Sequence, residues 1–436
     1  MRLLRIFVMA LAALSIFLQS AQAQSDAPLV LVMEAKGVVA PAMKEYILRG
    51  IKTAEQRNAE LLVIKLNTPG GLISEMEVIV QAIRSSNVPV VVYVSPRGGT
   101  AGSAGAVMTI AGHASAMAPE TIIGAASPIS GDGQDMGETL ERKQKEALRA
   151  QVRALTEARS PEAIALAEDM IEIAKAVSAN EAIAVGLVDF VANDLDDLLR
   201  QLDGFEVQMS GGPRTLNTAN AQVEEFDMTF IEQLLDILVN PNIVFLLVTI
   251  GVQAILIEIS SPGGWVAGFI GATCLLLAAY GFGVLPVNWF GVIFLIIAFI
   301  LFFLEIQTPT MGALTAAGVV SFIIGGLVLF NSPGVPEFQR VSIPLVVGTA
   351  IVTGLAFVVI IGFAMRALRA PQRTGRESVL GMSGIAVSDI APAGQVLLRS
   401  ENWSAELAEG EKRIKKGQEV EVLNVQGLRL KVRRKR

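Results

Sequence analysis

The chain has 436 residues, of which 52% are hydrophobic and only 17% are charged, whereas an ordinary soluble domain carries about 25% charged residues. This composition excludes a mostly disordered chain and a protein that is soluble throughout its length. A single cysteine, Cys274, excludes an internal disulfide and a cysteine-rich zinc site, and any Ser-His-Asp triad or histidine-ligated metal would depend on the single histidine, His113.

The N-terminus has the pattern of a secretory signal. Arg2 and Arg5 precede an apolar run, Ile6–Leu18, and the small-x-small motif Ala21-Gln22-Ala23 follows it. We therefore predict a cleavable signal over residues 1–23, which places the following domain outside the cytoplasm. The alternative is an uncleaved anchor helix, although the apolar run is short for a span of about 20 residues.

Residues 24–202 alternate β-branched runs with longer stretches rich in Ala, Glu and Arg. This alternation predicts an α/β domain with a largely parallel sheet, whose strands include Leu29–Met33, Leu61–Leu66 and Val88–Val94. Residues 203–236 are predicted to be a linker, in which residues 203–227 have no sustained helical period and are expected to form an irregular segment or a small hairpin. A short amphipathic stretch, Phe230–Leu238, then leads towards the membrane.

Residues 237–368 contain five uncharged apolar segments, each near the length that crosses a bilayer: Ile237–Ile257, Gly263–Leu285, Asn288–Leu304, Gly312–Phe330 and Ile343–Met365. From an exported domain, five crossings would bring the C-terminus into the cytoplasm. Residues 371–436 carry 13 Lys and Arg against 8 Asp and Glu, which agrees with the positive-inside rule. We expect a multi-pass protein of the bacterial inner membrane, in contact with the lipid bilayer.

The membrane region contains a weak repeat. Glu258 and Glu305 stand 47 residues apart, and each ends one apolar segment shortly before the next begins. Two similar helical hairpins are therefore expected. A glutamate in such a place is either an ion site or, more often, a solvated side chain at the membrane surface.

Residues 371–436 change to short alternating runs separated by turn residues, which predict a small all-β barrel. The predicted strands are Gly384–Val387, Gln395–Leu398, Glu419–Val425 and Leu428–Val432. The terminal sequence KVRRKR has the charge to contact anionic lipid or RNA, but a solvated charged tail is the commoner case, and we expect no nucleic-acid partner.

Two turns of the α/β domain carry the candidate chemistry. One strand runs into Asn67-Thr68-Pro69-Gly70-Gly71, and the next leads through a glycine-rich loop to Ser103. Both turns follow the carboxyl ends of strands, which is the edge where an open parallel sheet binds ligands. The sequence therefore brings a serine and a glycine turn to one edge of the sheet.

Ser103 is predicted to open a helix, so its hydroxyl would stand among free backbone N–H groups that favour negative charge. The N–H of Ala104 and that of Gly70 or Gly71 are candidate donors to a developing oxyanion. The alternative interpretation of Ser103 is a plain helix N-cap.

This order of elements, continued by Met117-Ala118-Pro119 and Ile123–Pro128, resembles the Clp protease/crotonase superfold. It resembles more closely the NfeD family of membrane-bound serine proteases, relatives of signal peptide peptidase A. The resemblance covers nearly the whole chain and extends to Ala391–Gly394 and Trp403–Ala405 of an OB-fold barrel. It implies a serine endopeptidase without metal or cofactor, a homo-oligomer, a peptide or protein substrate and a stomatin-like (SPFH) partner.

The general base is the open question. Soluble Clp proteases carry a histidine before the proline of the segment that matches Ala126-Ser127-Pro128, and that histidine is absent here. His113 lies about three helical turns, or 15 Å, from Ser103, so we interpret it as a packing or hydrogen-bonding residue. The resemblance implies a Ser-Lys dyad and assigns the base to Lys143, with Lys145, about 200° away on the same helix, as competitor.

A lysine acts as a base only when it is neutral, so its pKa must fall from about 10.4 towards 7 or 8 through burial. A glycine-rich segment, Ser130–Gly137, is a candidate cover. The chain departs from the family pattern at Asn67 and at Arg159-Ser160-Pro161. Neither departure replaces a reacting group, so we expect these changes to affect loop geometry and substrate preference more than the dyad. A non-catalytic scaffold is the second hypothesis, and a coenzyme-A enzyme is disfavoured because an exported domain would lack that cofactor.

Overall fold

The computed structural model describes residues 27–129, 136–260, 263–308, 310–331, 339–369 and 379–435. The predicted signal peptide, residues 1–23, lies outside these ranges. The described residues form an α/β domain, a set of apolar helices and a small β-barrel. This order of parts agrees with the order predicted from the sequence.

A six-stranded parallel sheet forms the centre of the α/β domain, in the order β11-β1-β2-β3-β5-β8. Its inner strands are continuous runs of Val, Ile and Leu that are buried on both faces, as parallel sheets require. The strands are β1 (Leu29–Lys36), β2 (Leu61–Asn67), β3 (Val90–Val94), β5 (Ala114–Met117), β8 (Phe190–Val191) and β11 (Gln222–Glu225).

Helices cover both faces of this sheet, and each face has its own buried apolar core. The helices of the domain are α1 (Pro41–Gln56), α2 (Ile73–Ser85), α3 (Ala104–Ala111), α4 (Glu138–Leu155), α5 (Pro161–Glu172), α6 (Ala179–Ala184) and α7 (Leu195–Leu202). A second, three-stranded sheet is formed by β4 (Thr100–Gly102), β6 (Ile122–Gly124) and β7 (Ala176–Ser178). It holds the loop that presents Ser103.

Residues 203–236 are more ordered than the linker or small hairpin expected from the sequence. The hairpin is present, as β9 (Glu206–Met209) and β10 (Gly212–Thr215), and β11 then joins the main sheet beside β1. A helix, α8 (Phe230–Ile237), completes the segment. These elements are too short to show a period in the sequence, and they are fixed by contacts with distant parts of the chain.

The apolar helices are α9 (Pro241–Ser260), α10 (Val266–Val284), α11 (Trp289–Gln307), α12 (Ala313–Leu329) and α13 (Ile343–Arg369). Among the described residues, the first three are long and apolar enough to cross a membrane, and two shorter apolar stretches, Ala313–Leu329 and Ile343–Val359, follow. The helices pack as two hairpins, α9 with α10 and α11 with α12. Gln253 of α9 also donates a hydrogen bond of 2.7 Å to Thr353 of α13.

The two repeated glutamates accept hydrogen bonds from the start of the next helix, and Glu305 is buried whereas Glu258 is partly exposed. Glu305 is fully buried and accepts hydrogen bonds from the backbone N–H groups of four residues at the start of α12, Thr310, Gly312, Leu314 and Thr315, and from the Thr310 hydroxyl. Glu258 makes longer bonds of the same kind to Gly263, Trp265 and Gly268 at the start of α10. Each glutamate therefore lies near the end of one helix, and its carboxylate caps the N-terminus of the next helix.

The C-terminal unit is a closed five-stranded barrel with the strand order β12-β13-β14-β16-β15. Its strands are β12 (Ser383–Ala386), β13 (Ala393–Leu398), β14 (Glu401–Leu407), β15 (Glu419–Gln426) and β16 (Arg429–Arg434). The sequence predicted four of them; β14 was missed because it lacks a clean alternation of apolar and polar residues. The basic end is partly neutralised by ion pairs of Arg429, Arg433 and Lys435 with glutamates.

Candidate active site

Ser103 stands at the turn between β4 and α3 with an unusual backbone conformation. Its φ is +52° and its ψ is −117°, in a region that non-glycine residues rarely adopt. Its N–H donates to the carbonyl of Gly124, at 2.8 Å, which holds the turn against β6. The hydroxyl makes no capping hydrogen bond with the described residues, so the plain N-cap interpretation has no support here. The side chain is half-buried and available for chemistry.

The glycine turn lies directly against Ser103. A Cβ built on Gly70, whose φ is +120°, would come within 2.6 Å of the Ser103 Cβ and 3.1 Å of its Oγ. A Cβ on Gly71 would come within 2.2 Å of the Val39 carbonyl oxygen, because Gly71 pairs with Val39 in a parallel bridge. Both positions require glycine because the chain approaches closely there, Ser103 at Gly70 and the segment entering α1 at Gly71.

The structure distinguishes between the candidate oxyanion donors. The Gly70 N–H donates to the Thr68 hydroxyl at 3.0 Å, so it is already engaged. The N–H groups of Gly71 and Ala104 donate to no described residue, and both residues line the cavity beside Ser103. The available pair is therefore Gly71 with Ala104, while Gly70 supports the turn. The sequence alone does not distinguish Gly70 from Gly71, because the hydrogen bond between the Gly70 N–H and the Thr68 hydroxyl depends on the folded turn.

A small cavity of about 40 Å³ opens next to Ser103 and is lined mainly by apolar side chains. Its walls come from the glycine turn and α2, from α3, from the loop after β6 and from α4: Gly71, Ile73, Met76, Ser103, Ala104, Val107, Ala126, Pro128, Ile129 and Leu148. Such a lining accepts an apolar side chain by removing it from water. Within the described ranges, no group of three or more His, Cys, Asp or Glu side chains is placed to hold a metal ion.

The two candidate lysines lie on α4, and neither lines this cavity. Lys143 is exposed. Lys145 forms an ion pair with Glu141 at 2.7 Å, and that hydrogen bond raises the Lys145 pKa, which is the opposite of what a general base needs. The residue between them, Gln144, turns inward, and its Oε1 is buried without a hydrogen-bond partner among the described residues.

The α4 helix approaches the site through Leu148, one turn after Gln144. Positions 143 and 145 lie about 100° to either side of position 144 on the helix. A rotation or shift of the first turn of α4 would therefore bring one lysine, but not both, towards the cavity. The proposed cover, Ser130–Gly137, falls largely outside the described residues.

His113 is placed as the sequence analysis expected. Its Nδ1 accepts a hydrogen bond from the Val90 N–H at 3.1 Å, and its Nε2 is buried without a partner among the described residues. Burial lowers the pKa of the imidazole to about 4, and the charge of Arg84 contributes to this shift. The neutral ring is a structural element that fastens the end of α3 to β3.

The two departures from the family pattern have structural roles. The Asn67 side-chain oxygen accepts a hydrogen bond from the Thr100 N–H at 3.1 Å, which ties the glycine turn to β4. Arg159 forms a bidentate pair with Asp189, both distances being 3.0 Å, and also donates to the Ser115 hydroxyl. Ser160 caps α5 by accepting from the Ala163 N–H. These contacts stabilise the turns without entering the cavity.

Comparison with known families gives matches along nearly the whole chain. Residues 29–210 match the NfeD1b N-terminal domain, residues 242–363 the NfeD integral membrane domain, and residues 376–434 the NfeD-like C-terminal, partner-binding domain. These three matches follow the three parts of the structure in order.

Individual relatives extend these matches. The membrane-bound protease PH1510 of Pyrococcus horikoshii is 34% identical over 417 residues, which are 94% of each chain. The membrane protein NfeD1b of Bacillus subtilis is 26% identical over 460 residues, covering 99% of this chain and 97% of the relative. A solved structure, the 1510-N membrane protease specific for a stomatin homolog from Pyrococcus horikoshii, is 31% identical, with a TM-score of 0.42, covering 48% of this chain and 98% of that chain.

Proposed function

This chain belongs to the NfeD family of membrane proteins, and on that premise we propose that it is a membrane-anchored serine endopeptidase. The observation that carries the proposal is the conformation of Ser103. A strained serine at a helix N-terminus, with its hydroxyl uncapped and two free amides beside it, is arranged for nucleophilic attack rather than for stability. The relative from Pyrococcus horikoshii is named as a membrane-bound protease.

In the proposed reaction the Ser103 Oγ attacks the carbonyl carbon of a peptide bond while its proton passes to a neutral lysine amine. The resulting oxyanion is stabilised by the N–H groups of Gly71 and Ala104. Collapse of this intermediate breaks the C–N bond, and the lysine ammonium protonates the leaving amine. A water molecule then attacks the acyl-enzyme by the same route and releases Ser103.

We assign the base to Lys143, with Lys145 as the alternative. Either residue has to leave its solvated position and become buried beside Ser103 for its pKa to fall. Lys145 would also have to break its pair with Glu141. Lys143 has no such ion pair among the described residues. A movement of the first turn of α4 that brings Lys143 to Ser103 therefore costs less free energy than one that brings Lys145 there.

The substrate is proposed to be an apolar segment of a membrane-associated protein, of the stomatin-like (SPFH) class, bound as an added strand beside Gly71–Ile73. The apolar walls of the Ser103 cavity support this choice. We further propose five membrane spans in the bacterial inner membrane, with the α/β domain outside, the barrel in the cytoplasm and the chain assembled as a homo-oligomer.

We propose that the barrel is an OB-fold that binds the SPFH partner. Its third and fifth strands, β14 and β16, pair in parallel, while the other neighbouring strands pair antiparallel. A closed five-stranded barrel is the architecture of that fold. The matching family model is described as a partner-binding domain.

The test uses the full-length protein in liposomes and a peptide from the C-terminal segment of a stomatin-like protein. We expect cleavage by the parent chain and by Ser74→Ala, a matched control at an exposed serine near the site. Ser103→Ala should lose cleavage by at least about 10³-fold. Cleavage that survives in Ser103→Ala would overturn the mechanism.

The base is tested in the same assay with Lys143→Ala and Lys145→Ala. Loss of cleavage only in Lys143→Ala supports the assignment, and loss only in Lys145→Ala transfers the role. If both single variants retain full activity, neither lysine is the base.

A second candidate function is a non-catalytic scaffold in which the barrel recruits an SPFH partner and the α/β domain is a docking module. It is favoured by the positions of Lys143 and Lys145 outside the cavity. Binding of the partner together with no cleavage by the parent chain would favour the scaffold. Cleavage that depends on Ser103 would exclude it.

A further inference from the structure

Helix α8 has its polar and apolar sides reversed relative to a helix on a soluble surface. One of its two acidic residues, Glu232, is only 8% exposed and faces the α/β domain, and the other, Asp236, is half-buried. The apolar side chains of Phe230, Ile231 and Ile237 are 78%, 66% and 53% exposed. Helical geometry places these three on one side, away from Glu232. A soluble surface helix would bury the apolar side and expose the acid.

This orientation is held by specific contacts. Arg49 of α1 forms a bidentate pair with Glu232, at 2.8 and 2.7 Å, and also donates to the Asp227 carbonyl at 2.7 Å. The Arg49 guanidinium lies over the Phe226 ring, 4.2 Å from its centroid, and the Tyr46 hydroxyl donates to the Phe226 carbonyl. Rotation of α8 to hide its apolar side would break the pair of Arg49 and Glu232, and the contacts of Phe226 and Asp227 hold the chain that enters the helix.

The chain gives this helix a capped start as well. Thr229 and Glu232 form a capping box, in which the threonine hydroxyl accepts from the Glu232 N–H and the glutamate accepts from the Thr229 N–H. The Glu232 carboxylate therefore accepts hydrogen bonds both from the Thr229 N–H at the start of its own helix and from the Arg49 guanidinium. A buried carboxylate with this set of partners stays in place, so the outward direction of Phe230, Ile231 and Ile237 is built into the fold.

The position of α8 indicates what covers its apolar side. The first membrane helix, α9, begins at Pro241, four residues after Ile237, and the connecting Leu238 and Val239 are buried. α10 ends and α11 begins at this same end of the bundle, where Trp289 is 73% exposed. Exposed tryptophans at helix ends are typical of the boundary between lipid headgroups and acyl chains.

The α/β domain also lies close to this end of the bundle. Tyr280, near the end of α10, is within electrostatic reach of Asp236 in α8 and of Lys44 and Glu75 at the first turns of α1 and α2. Glu75 in turn lies between Ile73 and Met76, which line the Ser103 cavity. The edge of the domain that carries the site therefore faces the membrane region.

We propose that the apolar side of α8 is embedded in the lipid interface, parallel to the bilayer surface, and that Arg49 fixes the α/β domain to this helix. Amphipathic helices bind in this way with their apolar side at the boundary of headgroups and acyl chains. The occupant is lipid because the helix continues directly into a membrane span. Ser103 is thereby held at a fixed height, and its substrate is a segment next to the membrane surface.

The test places an environment-sensitive fluorophore at single cysteines in full-length protein reconstituted in phosphatidylcholine and phosphatidylglycerol vesicles. Cys274→Ser removes the native thiol, and Ile231→Cys and Ile237→Cys report on α8. Trp289→Cys is the reference for the interface, and Gln56→Cys, at an exposed position of α1, is the reference for water. Quenching by lipids with a nitroxide near the headgroup measures the depth of each fluorophore.

Labels at 231 and 237 should emit at shorter wavelength than the label at 56 and should be quenched by the nitroxide lipid as strongly as the label at 289. If both labels behave like the one at 56, α8 lies in water and the proposal is overturned. If they are shielded from aqueous iodide but not quenched by nitroxide lipid, a second copy of the chain covers α8 instead, and lipid docking is equally excluded. Cleavage activity is not part of this readout, so its outcome is independent of the proposed function.

Discussion

Gly70 lies against Ser103 so closely that a side-chain carbon on the glycine would stand 2.6 Å from the Cβ of the serine. Real Cβ atoms do not approach other carbons at that distance, so a residue other than glycine must displace Ser103. The strained turn of Ser103 and the positive φ of Gly70 are therefore packed against each other, and a side chain added at Gly70 would disturb the position of Ser103.

We predict that Gly70→Ala lowers peptide cleavage by about 100-fold or more, because a shift of about 1 Å at a reacting group has that effect. Gly37→Ala is the matched control: Gly37 has a similar φ of +108°, but a Cβ there would meet nothing within 4 Å. Both variants carry the strain of a positive φ, on the order of 1–3 kcal/mol. Equal loss of activity in the two would show that backbone strain, and not contact with Ser103, is responsible.

His113 should make the folded protein sensitive to mild acid. The unfolded chain binds a proton at the imidazole below about pH 6.5, whereas the folded pKa is about 4, so the folded state loses relative stability as the pH falls from 6.5 towards 4. The loss amounts to about 3 kcal/mol over the whole window. His113→Gln, which keeps an acceptor for the Val90 N–H, should flatten this dependence, as measured by the free energy of unfolding in detergent.

Glu168 provides the control for that experiment. Hydrogen bonds from Arg153 and Arg149 lower its pKa to about 2, so its contribution is lost only below the ordinary carboxyl pKa of 4.5. Glu168→Gln should therefore leave the slope between pH 6.5 and 4.5 unchanged. A slope in that interval that persists in His113→Gln would assign the acid sensitivity to another group.

Glu305→Ala should destabilise the hairpin of α11 and α12 by about 3 kcal/mol, because it leaves the backbone N–H groups of Thr310, Gly312 and Thr315 without an acceptor, while that of Leu314 keeps the Thr310 hydroxyl. Glu258→Ala is the corresponding change in the first hairpin, where the glutamate is half-buried and its bonds are 3.1 to 3.5 Å long. We expect a clearly smaller cost there, because the Glu258 bonds are longer and its carboxylate is partly solvated. Unfolding by sodium dodecyl sulfate, followed by circular dichroism, compares the two, and equal costs would contradict the capping role.

The pair of Arg49 and Glu232 should contribute more coupling than an exposed pair of the same type. A double-mutant cycle with Arg49→Ala and Glu232→Ala is expected to give about 2 kcal/mol, because Glu232 is largely shielded from water. The pair of Arg57 and Glu224 is also bidentate and joins α1 to β11, but both side chains are about 40% exposed. Its coupling should be clearly smaller, because water screens an exposed pair. A larger value for the exposed pair would refute the special role of Arg49.

The sequence predicted those parts of the structure that depend on local pattern. Runs of β-branched residues indicated the parallel strands, and uninterrupted apolar segments indicated the membrane helices. Ser103 and the glycine turn were placed at one edge of the sheet because parallel strands end together. These features are encoded by periodicity and by the special conformations that glycine allows.

The sequence could not predict features that depend on contacts between distant residues. The engagement of Gly70 by Thr68 and the inward position of Gln144 between two lysines follow only from three-dimensional packing. The same holds for β11, a four-residue strand whose place in the sheet is set by its pairing with β1. Glu305 was expected in solvent because the composition of a helix end does not reveal which N–H groups lie above it.

The pairing of β11 with β1 has a consequence for the order in which the protein is made. The first strand of the α/β domain begins at Leu29, and its outer neighbour ends at Glu225, so one side of β1 has no partner until nearly two hundred further residues have been synthesised. The first membrane helix begins only 16 residues after that neighbour ends. The last strand of the sheet and the first span therefore leave the ribosome within 16 residues of each other, so the sheet cannot be completed until the start of the first span is about to be made.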